Sequence, residues 1–245
     1  MKKETIFTLA NNITFVRIIV SFIAFALVLS GDIELLLVAI ILIAYSELTD
    51  MLDGYIARRD SCVTSLGKLL DPLSDSISRF LYFFAFGYMG LFPLWLVVIL
   101  FVRDIIVAYI RTYMSLMGIA MGARFSGKAK ALVQFGGQYL LLFALLALYM
   151  NQGQSYSEEY LLMMTAIGTL STFVILHFLR VKGAYYWYSL AGYIAFLIPF
   201  YMMNKLSITL DLSYSLAVMV LVAGVTLWSL FDYISALVVA MREEK

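Results

Sequence analysis

The chain has 245 residues, of which 63% are hydrophobic and only 13% charged, and its mean hydropathy is +0.94. Water-soluble domains carry close to twice that charged fraction, so the composition excludes an ordinary soluble protein and points to a polytopic membrane protein. A net charge of +1 gives no basis for a nucleic-acid partner, and the single cysteine, Cys62, excludes an internal disulfide and argues against a cysteine-built metal site.

A short polar leader, Met1 to Glu4, precedes the first apolar run. That run has no small-residue cleavage site before the next one begins, so it is expected to be a retained helix and not a removed signal peptide. Apolar runs long enough to cross about 30 Å of hydrocarbon at 1.5 Å per residue fall at roughly 12–30, 33–57, 66–89, 93–118, 128–150, 159–180, 185–204 and 213–240. The expected fold is therefore an all-α transmembrane bundle of about eight spans, forming a single domain over 1–245. Gly31-Asp32 and the stretch from Gly90 to Pro93 read as tight reversals.

With the N-terminus in the cytoplasm, Lys2, Lys3, Arg58, Arg59, Lys68, Arg124, Lys128, Lys130, Arg180, Lys182, Arg242 and Lys245 all fall on the cytoplasmic side, and Lys205 falls opposite. The positive-inside rule then sets the orientation. Both termini are expected in the cytoplasm, in a cell (inner) membrane.

The acidic residues are concentrated in DMLDGYIARRDSCVTSLGKLLDPLSD, residues 50–75, which holds Asp50, Asp53, Asp71 and Asp75 among the chain's 16 carboxylates. Residues three and four apart share a helix face, so Asp50 pairs with Asp53 near the end of the second span, and Asp71 with Asp75 near the start of the third. Pro72 predicts a local break or kink there. Carboxylates about 5 Å apart repel by roughly 3 kcal/mol per pair at an effective dielectric of 20, so the cluster requires protonation or cations. Oxygen ligands without nearby His or Cys select Mg²⁺, Mn²⁺ or Ca²⁺. Two such ions would clamp phosphoryl oxygens, with Arg58 and Lys68 placed for a further phosphate or a base. Gly54, Ala57 and Gly67 keep the two faces small enough for close approach.

The pattern Asp50-x2-Asp53-Gly54-x2-Ala57-Arg58-x8-Gly67-x3-Asp71-x3-Asp75 resembles, without gap or substitution, the signature of the CDP-alcohol phosphatidyltransferases. The resemblance implies that Asp50, Asp53 and Asp71 hold two divalent ions, Mg²⁺ or Mn²⁺, on the pyrophosphate of a CDP-linked lipid. It implies that Asp75 completes the metal site and is the base that activates the acceptor hydroxyl. Gly54, Ala57, Arg58 and Gly67 would shape the CDP-lipid pocket, with Lys68 and Thr14 beside them. A homodimer is compatible with that resemblance.

Three further stretches are similar to the phosphatidylglycerophosphate synthases within that family. These are ANNITFVRI, with Asn11, Thr14 and Arg17 in an NxxTxxR opening, then VRDIIVAYIRTYMSLMGIAMGARFSGKAKALVQ, and TLWSLFDYISAL. The implied reaction moves a phosphatidyl group from CDP-diacylglycerol to glycerol 3-phosphate and releases CMP. Two departures concern the acceptor and the architecture. Ser76 stands where those synthases carry Lys, and residues from about 155 to 205 read as two spans added to a six-helix core. Phosphatidylglycerol, an inositol phosphate or serine are the alternative acceptors.

Arg103 and Arg111 lie well inside the fourth span, where charge usually serves function, and Arg suits a bidentate hold on the acceptor's phosphate. A structural ion pair of Arg103 with Glu47 or Asp232 is the competing reading. Arg124, Lys128 and Lys130 border the same mouth, either for the acceptor or as flanking charge for anionic headgroups. Arg79 reads as an i+4 partner of Asp75. From other classes, a cation transporter or a catalytically silent scaffold would place acids in a membrane protein. A transporter's acids line the membrane depth, however, whereas these gather at one edge.

Overall fold

The computed structural model describes residues 8–59, 65–119, 124–151 and 212–243, and they contain helices and no strand. The helices are α1 (Leu9–Leu29), α2 (Ile33–Arg59), α3 (Ser65–Tyr88), α4 (Trp95–Leu116), α5 (Phe125–Asn151) and α6 (Leu212–Glu243). Within them, the side chains of residues 50–59 and of Lys68 lie outside the described residues, as do the expected spans at 159–180 and 185–204. Three stretches are long and apolar enough to cross a membrane by length and composition: Asn11–Leu29, Phe125–Leu146 and Ser213–Arg242.

The helix ends follow from local chemistry. Thr8 caps α1 by accepting the Asn11 amide at 3.2 Å, as expected of a threonine N-cap. Gly31, at φ 73°, makes the reversal into α2, where Asp32 Oδ1 accepts the amides of Glu34 at 2.7 Å and Leu35 at 3.2 Å. At the end of α4, Gly118 (φ 77°) supports two closing bonds, Gly118 N to Ser115 O at 3.1 Å and Ile119 N to Met114 O at 2.9 Å. This is a Schellman motif, and its usual apolar contact is present because Ile119 packs on the cluster containing Met114.

α3 runs through Pro72 without interruption, which corrects the expected break. The proline lies in the helix's second turn, and Ser76 Oγ donates to the Pro72 carbonyl at 2.9 Å.

The described residues divide into two compact units. The first contains α1, α2, α3 as far as Ser78, and the end of α5 from Leu142; the second contains Arg79–Leu141 and α6. In the first unit α1 packs against α2, burying Ala24, Val28, Leu36, Ala39 and Ile43, while Phe15, Ile19 and Phe22 face outward. In the second, α4 packs against α6 around Val107, Ile110, Met114 and Tyr233, with Trp228 and Phe231 facing outward. Such apolar outer faces are what lipid-facing helices present.

Candidate functional site

The first unit's polar chemistry is threaded along its interior. Ser21 of α1 is fully buried; its Oγ donates to the Arg17 carbonyl at 2.9 Å and lies 2.7 Å from Ser78 Oγ of α3 and 3.4 Å from Ser46 Oγ of α2. All three helices therefore meet at one serine. One turn toward the start of α1 is Arg17, 2% exposed. Its Nε donates to Ser74 Oγ at 2.9 Å, and its NH2 reaches Asp71 Oδ1 at 3.2 Å and Asp75 Oδ1 at 3.4 Å. The positions 71, 74 and 75 form one helical turn, and that turn closes around a single guanidinium.

The structure thus brings together two of the four predicted aspartates, Asp71 and Asp75. Asp50 and Asp53 stand on the helical backbone of α2, but their side chains lie outside the described residues, as do those of Ala57, Arg58 and Lys68 and the surroundings of Gly54. Because α1 and α2 run antiparallel from the Gly31 reversal and pair at Ser21 and Ser46, one turn beyond Ser46 sets Asp50 at the level of Arg17. The next turn sets Asp53 at the level of Thr14, which is buried. Gly67 lies one turn before Asp71.

The Asp71 and Asp75 side chains are 53% and 43% exposed although their partner Arg17 is buried. They are carboxylate oxygens held from one side and reachable from outside, a donor set that suits a hard divalent cation. Among the described residues no group of three His, Cys, Asp or Glu converges on one point, as follows when two of the four aspartates are not described. What is present fits such an ion.

Among its described residues the second unit holds two ionic clusters. In one, Asp104 is shared: Arg103 NH1 donates to its Oδ1 at 3.0 Å, and Lys130 Nζ lies 2.8 Å from Oδ1 and 2.9 Å from Oδ2. Arg103 NH2 also donates to Ser229 Oγ, and the guanidinium stacks over Tyr233 at 5.6 Å. Arg103 therefore pairs with its chain neighbour, while Asp232, the partner expected within this unit, is taken by Arg124. Arg103 Nε is buried without a hydrogen-bond partner, as is Arg79 NH1, and the charge of Arg79 reaches Lys130. The expected pairing of Arg79 with Asp75 is absent among the described residues; the Asp75 carboxylate turns to Arg17. Arg103 and Lys130 thus share one carboxylate, leaving an excess of positive charge.

In the other cluster Arg124 grips Asp232 through two bonds of 2.7 Å, and Ser126 Oγ donates to the same carboxylate. The Asp232 hydrogen bond holds the Arg124 guanidinium above its already high value, so it stays charged at any physiological pH. Arg111 and Lys128 are exposed and make no ion pair among the described residues.

Sequence reasoning gave Arg17 no role beyond its place in a motif, and it passed over Asp104 and Ser74. An arginine inside an otherwise apolar run is itself a signal, and it would have identified Arg17.

A model of the CDP-alcohol phosphatidyltransferase family matches residues 7–175, which include α1, the acidic stretch of α2 and α3, α4 and α5. The chain belongs to that family. Its place there puts it in an enzyme class, the phosphatidyltransferases of phospholipid biosynthesis, whose members generally depend on divalent metal.

The chain is 33% identical over 94 residues to a CDP-diacylglycerol–glycerol-3-phosphate 3-phosphatidyltransferase of Bacillus subtilis, a match covering 38% of this chain and 49% of that protein. It is 31% identical over 102 residues to an enzyme of the same name from Mycoplasma genitalium, covering 42% and 43%. A probable cardiolipin synthase (CMP-forming) of Drosophila melanogaster is 33% identical over 105 residues, covering 42% and 32%. The matches thus span about a third to a half of the length of these relatives. Relatives named for phosphatidyl transfer to glycerol 3-phosphate and for CMP-forming cardiolipin synthesis thus resemble this chain about equally well.

Proposed function

We propose that the protein transfers a phosphatidyl group from CDP-diacylglycerol to glycerol 3-phosphate, giving phosphatidylglycerophosphate and CMP. The observation that carries this reading is the Arg17 anchor, which presents Asp71 and Asp75 as half-exposed, oriented carboxylates within a stretch that the family model covers. Asp50, Asp53, Asp71 and Asp75 would hold two Mg²⁺ or Mn²⁺ ions, which when bound neutralise the pyrophosphate oxygens as charge builds on the leaving CMP. The Gly54, Ala57 and Gly67 backbones leave room for the CDP moiety, with Thr14, Arg58 and Lys68 beside it.

Asp75 takes the proton. Its Oδ1 faces Arg17, which leaves Oδ2 to accept the acceptor's hydroxyl hydrogen. The freed oxygen attacks the lipid-bearing phosphorus, a new P–O bond forms, and the bond to the bridging pyrophosphate oxygen breaks with CMP carrying away the electron pair. Binding of the acceptor's phosphate is assigned to Arg111 and Lys128, with Arg103 and Lys130 adding their unbalanced charge. The fork of Arg124 is occupied by Asp232, which suits it to hold its loop and not to bind substrate.

Topologically, we propose that α2, α3 and α4 also cross the membrane and that two more spans within 155–205 complete eight in a single catalytic domain. The acidic site and both termini would be cytoplasmic, in keeping with the distribution of Lys and Arg. A second reading, transfer to phosphatidylglycerol, is favoured by the likeness to the cardiolipin synthase. The test is a panel of acceptors offered to purified protein with CDP-diacylglycerol and Mg²⁺, scored by CMP release. CMP formation dependent on glycerol 3-phosphate supports the main reading; release with phosphatidylglycerol alone transfers the assignment to the second. Metal-dependent ion flux without CMP would overturn both.

A further inference from the structure

We infer that Arg17 is a positioning residue for the acidic site, fixing the Asp71 and Asp75 carboxylates from inside the helix packing so that they are poised for divalent metal. This rests on the metal site proposed above and deepens it. In a purely structural ion pair buried for packing, both partners leave the solvent. Here only the cation has done so: Arg17 is 2% exposed while the carboxylates remain about half open. Their backs are tied down and their other side is accessible.

The guanidinium cannot itself reach a substrate, since it lies beneath the turn it holds. The three contacts it makes with α3 among the described residues are those of a planar fork. Nε is spent on the fully buried Ser74, and this orients NH2, which is shared between the two Oδ1 atoms. The arginine's own height on α1 is set one turn away, where Ser21 binds both the Arg17 carbonyl and Ser78 of α3. A sequence of fixed contacts therefore runs from the α1–α3 register to the rotamers of two carboxylates. Groups that orient metal ligands in this way commonly change metal affinity by about 10- to 100-fold when removed. Lysine keeps the charge but has no planar fork, so charge and geometry are separable by substitution.

The experiment uses the full chain in detergent, stripped of divalent ions. Mn²⁺ binding is read by electron paramagnetic resonance and folding by the thermal midpoint. R17K is expected to keep its midpoint in the absence of metal yet bind Mn²⁺ roughly tenfold or more weakly, and the Mg²⁺ concentration for half-maximal CMP release should rise in parallel. S74A, which removes only the Nε acceptor, should shift both in the same direction by less, and it serves if R17K does not fold. Wild-type Mn²⁺ affinity in folded R17K and S74A would overturn the positioning role while leaving the metal site standing, as weakened Mn²⁺ binding by D71N would show. A wild-type protein with no saturable Mn²⁺ binding would overturn the site and the inference together.

Discussion

Arg124 and Asp232, 108 positions apart in sequence, face each other in a two-bond fork, Nε to Oδ2 and NH2 to Oδ1, each at 2.7 Å. With Ser126 on the same carboxylate, the pair fixes the start of α5 to α6. If this is the work of Arg124, R124A and D232A should lower the thermal midpoint by similar amounts, and the double variant should fall by much less than their sum. R124K should recover little, because lysine cannot reproduce the fork. The KM for glycerol 3-phosphate should move equally in both single variants; a rise in R124A alone would return Arg124 to the acceptor site.

Asp104 predicts a larger effect from a smaller change. It is the shared counter-charge of Arg103 and Lys130, and all three side chains are nearly buried. D104N leaves two cations without compensation, and breaking such a pair costs about 3–5 kcal/mol. K130M removes one cation and leaves Asp104 still paired with Arg103, so it should be the milder variant. Urea unfolding in detergent would order them, and a D104N protein as stable as K130M would contradict the shared-carboxylate arrangement.

The helices were largely legible because their signals are local. The apolar runs at 33–57, 66–89 and 93–118 became α2, α3 and α4 within a few residues, and the turns at Gly31 and Gly90 sit where positive φ is needed. The ionic partners were not legible, for different physical reasons. Neighbouring positions on a helix do not face each other, so spacing would never pair Arg103 with Asp104; a long arginine arm and a lysine from α5 make that contact. Arg124 meets Asp232 only through tertiary packing. At the acidic site, spacing correctly put Asp71 and Asp75 on one face, but only the fold reveals Arg17 beneath them.

Two adjacent glycines on α5 give a paired test of the packing against α6. A Cβ on Gly137 would lie 2.5 Å from Val222 Cγ2, whereas one on Gly136 meets nothing within 4 Å. Val222 is β-branched and cannot easily rotate away, so G137A should destabilise by about 1–3 kcal/mol through overpacking. G136A should be neutral or stabilising by up to about 1 kcal/mol, since alanine favours helix over glycine. Equal midpoints for the two variants would mean that α5 and α6 do not approach as closely as Gly137 and Val222 indicate.

Asp71 and Asp75 share a partner yet are assigned different roles, and isosteric amides can separate them. Each amide removes one negative charge opposite Arg17 while leaving the side chain's shape. If Asp71 is a ligand only, D71N should bind Mn²⁺ more weakly, and raising Mg²⁺ should restore part of its CMP release. If Asp75 also takes the acceptor's proton, no metal concentration can compensate. D75N should then bind CDP-diacylglycerol but lose about 10²- to 10⁴-fold in turnover, the range general-base catalysis contributes. Single-turnover CMP release measured across Mg²⁺ concentrations would show a shifted midpoint for D71N and a depressed plateau for D75N. A D75N plateau near that of the wild type would take the proton-accepting role away from Asp75, and the attacking hydroxyl would need another base.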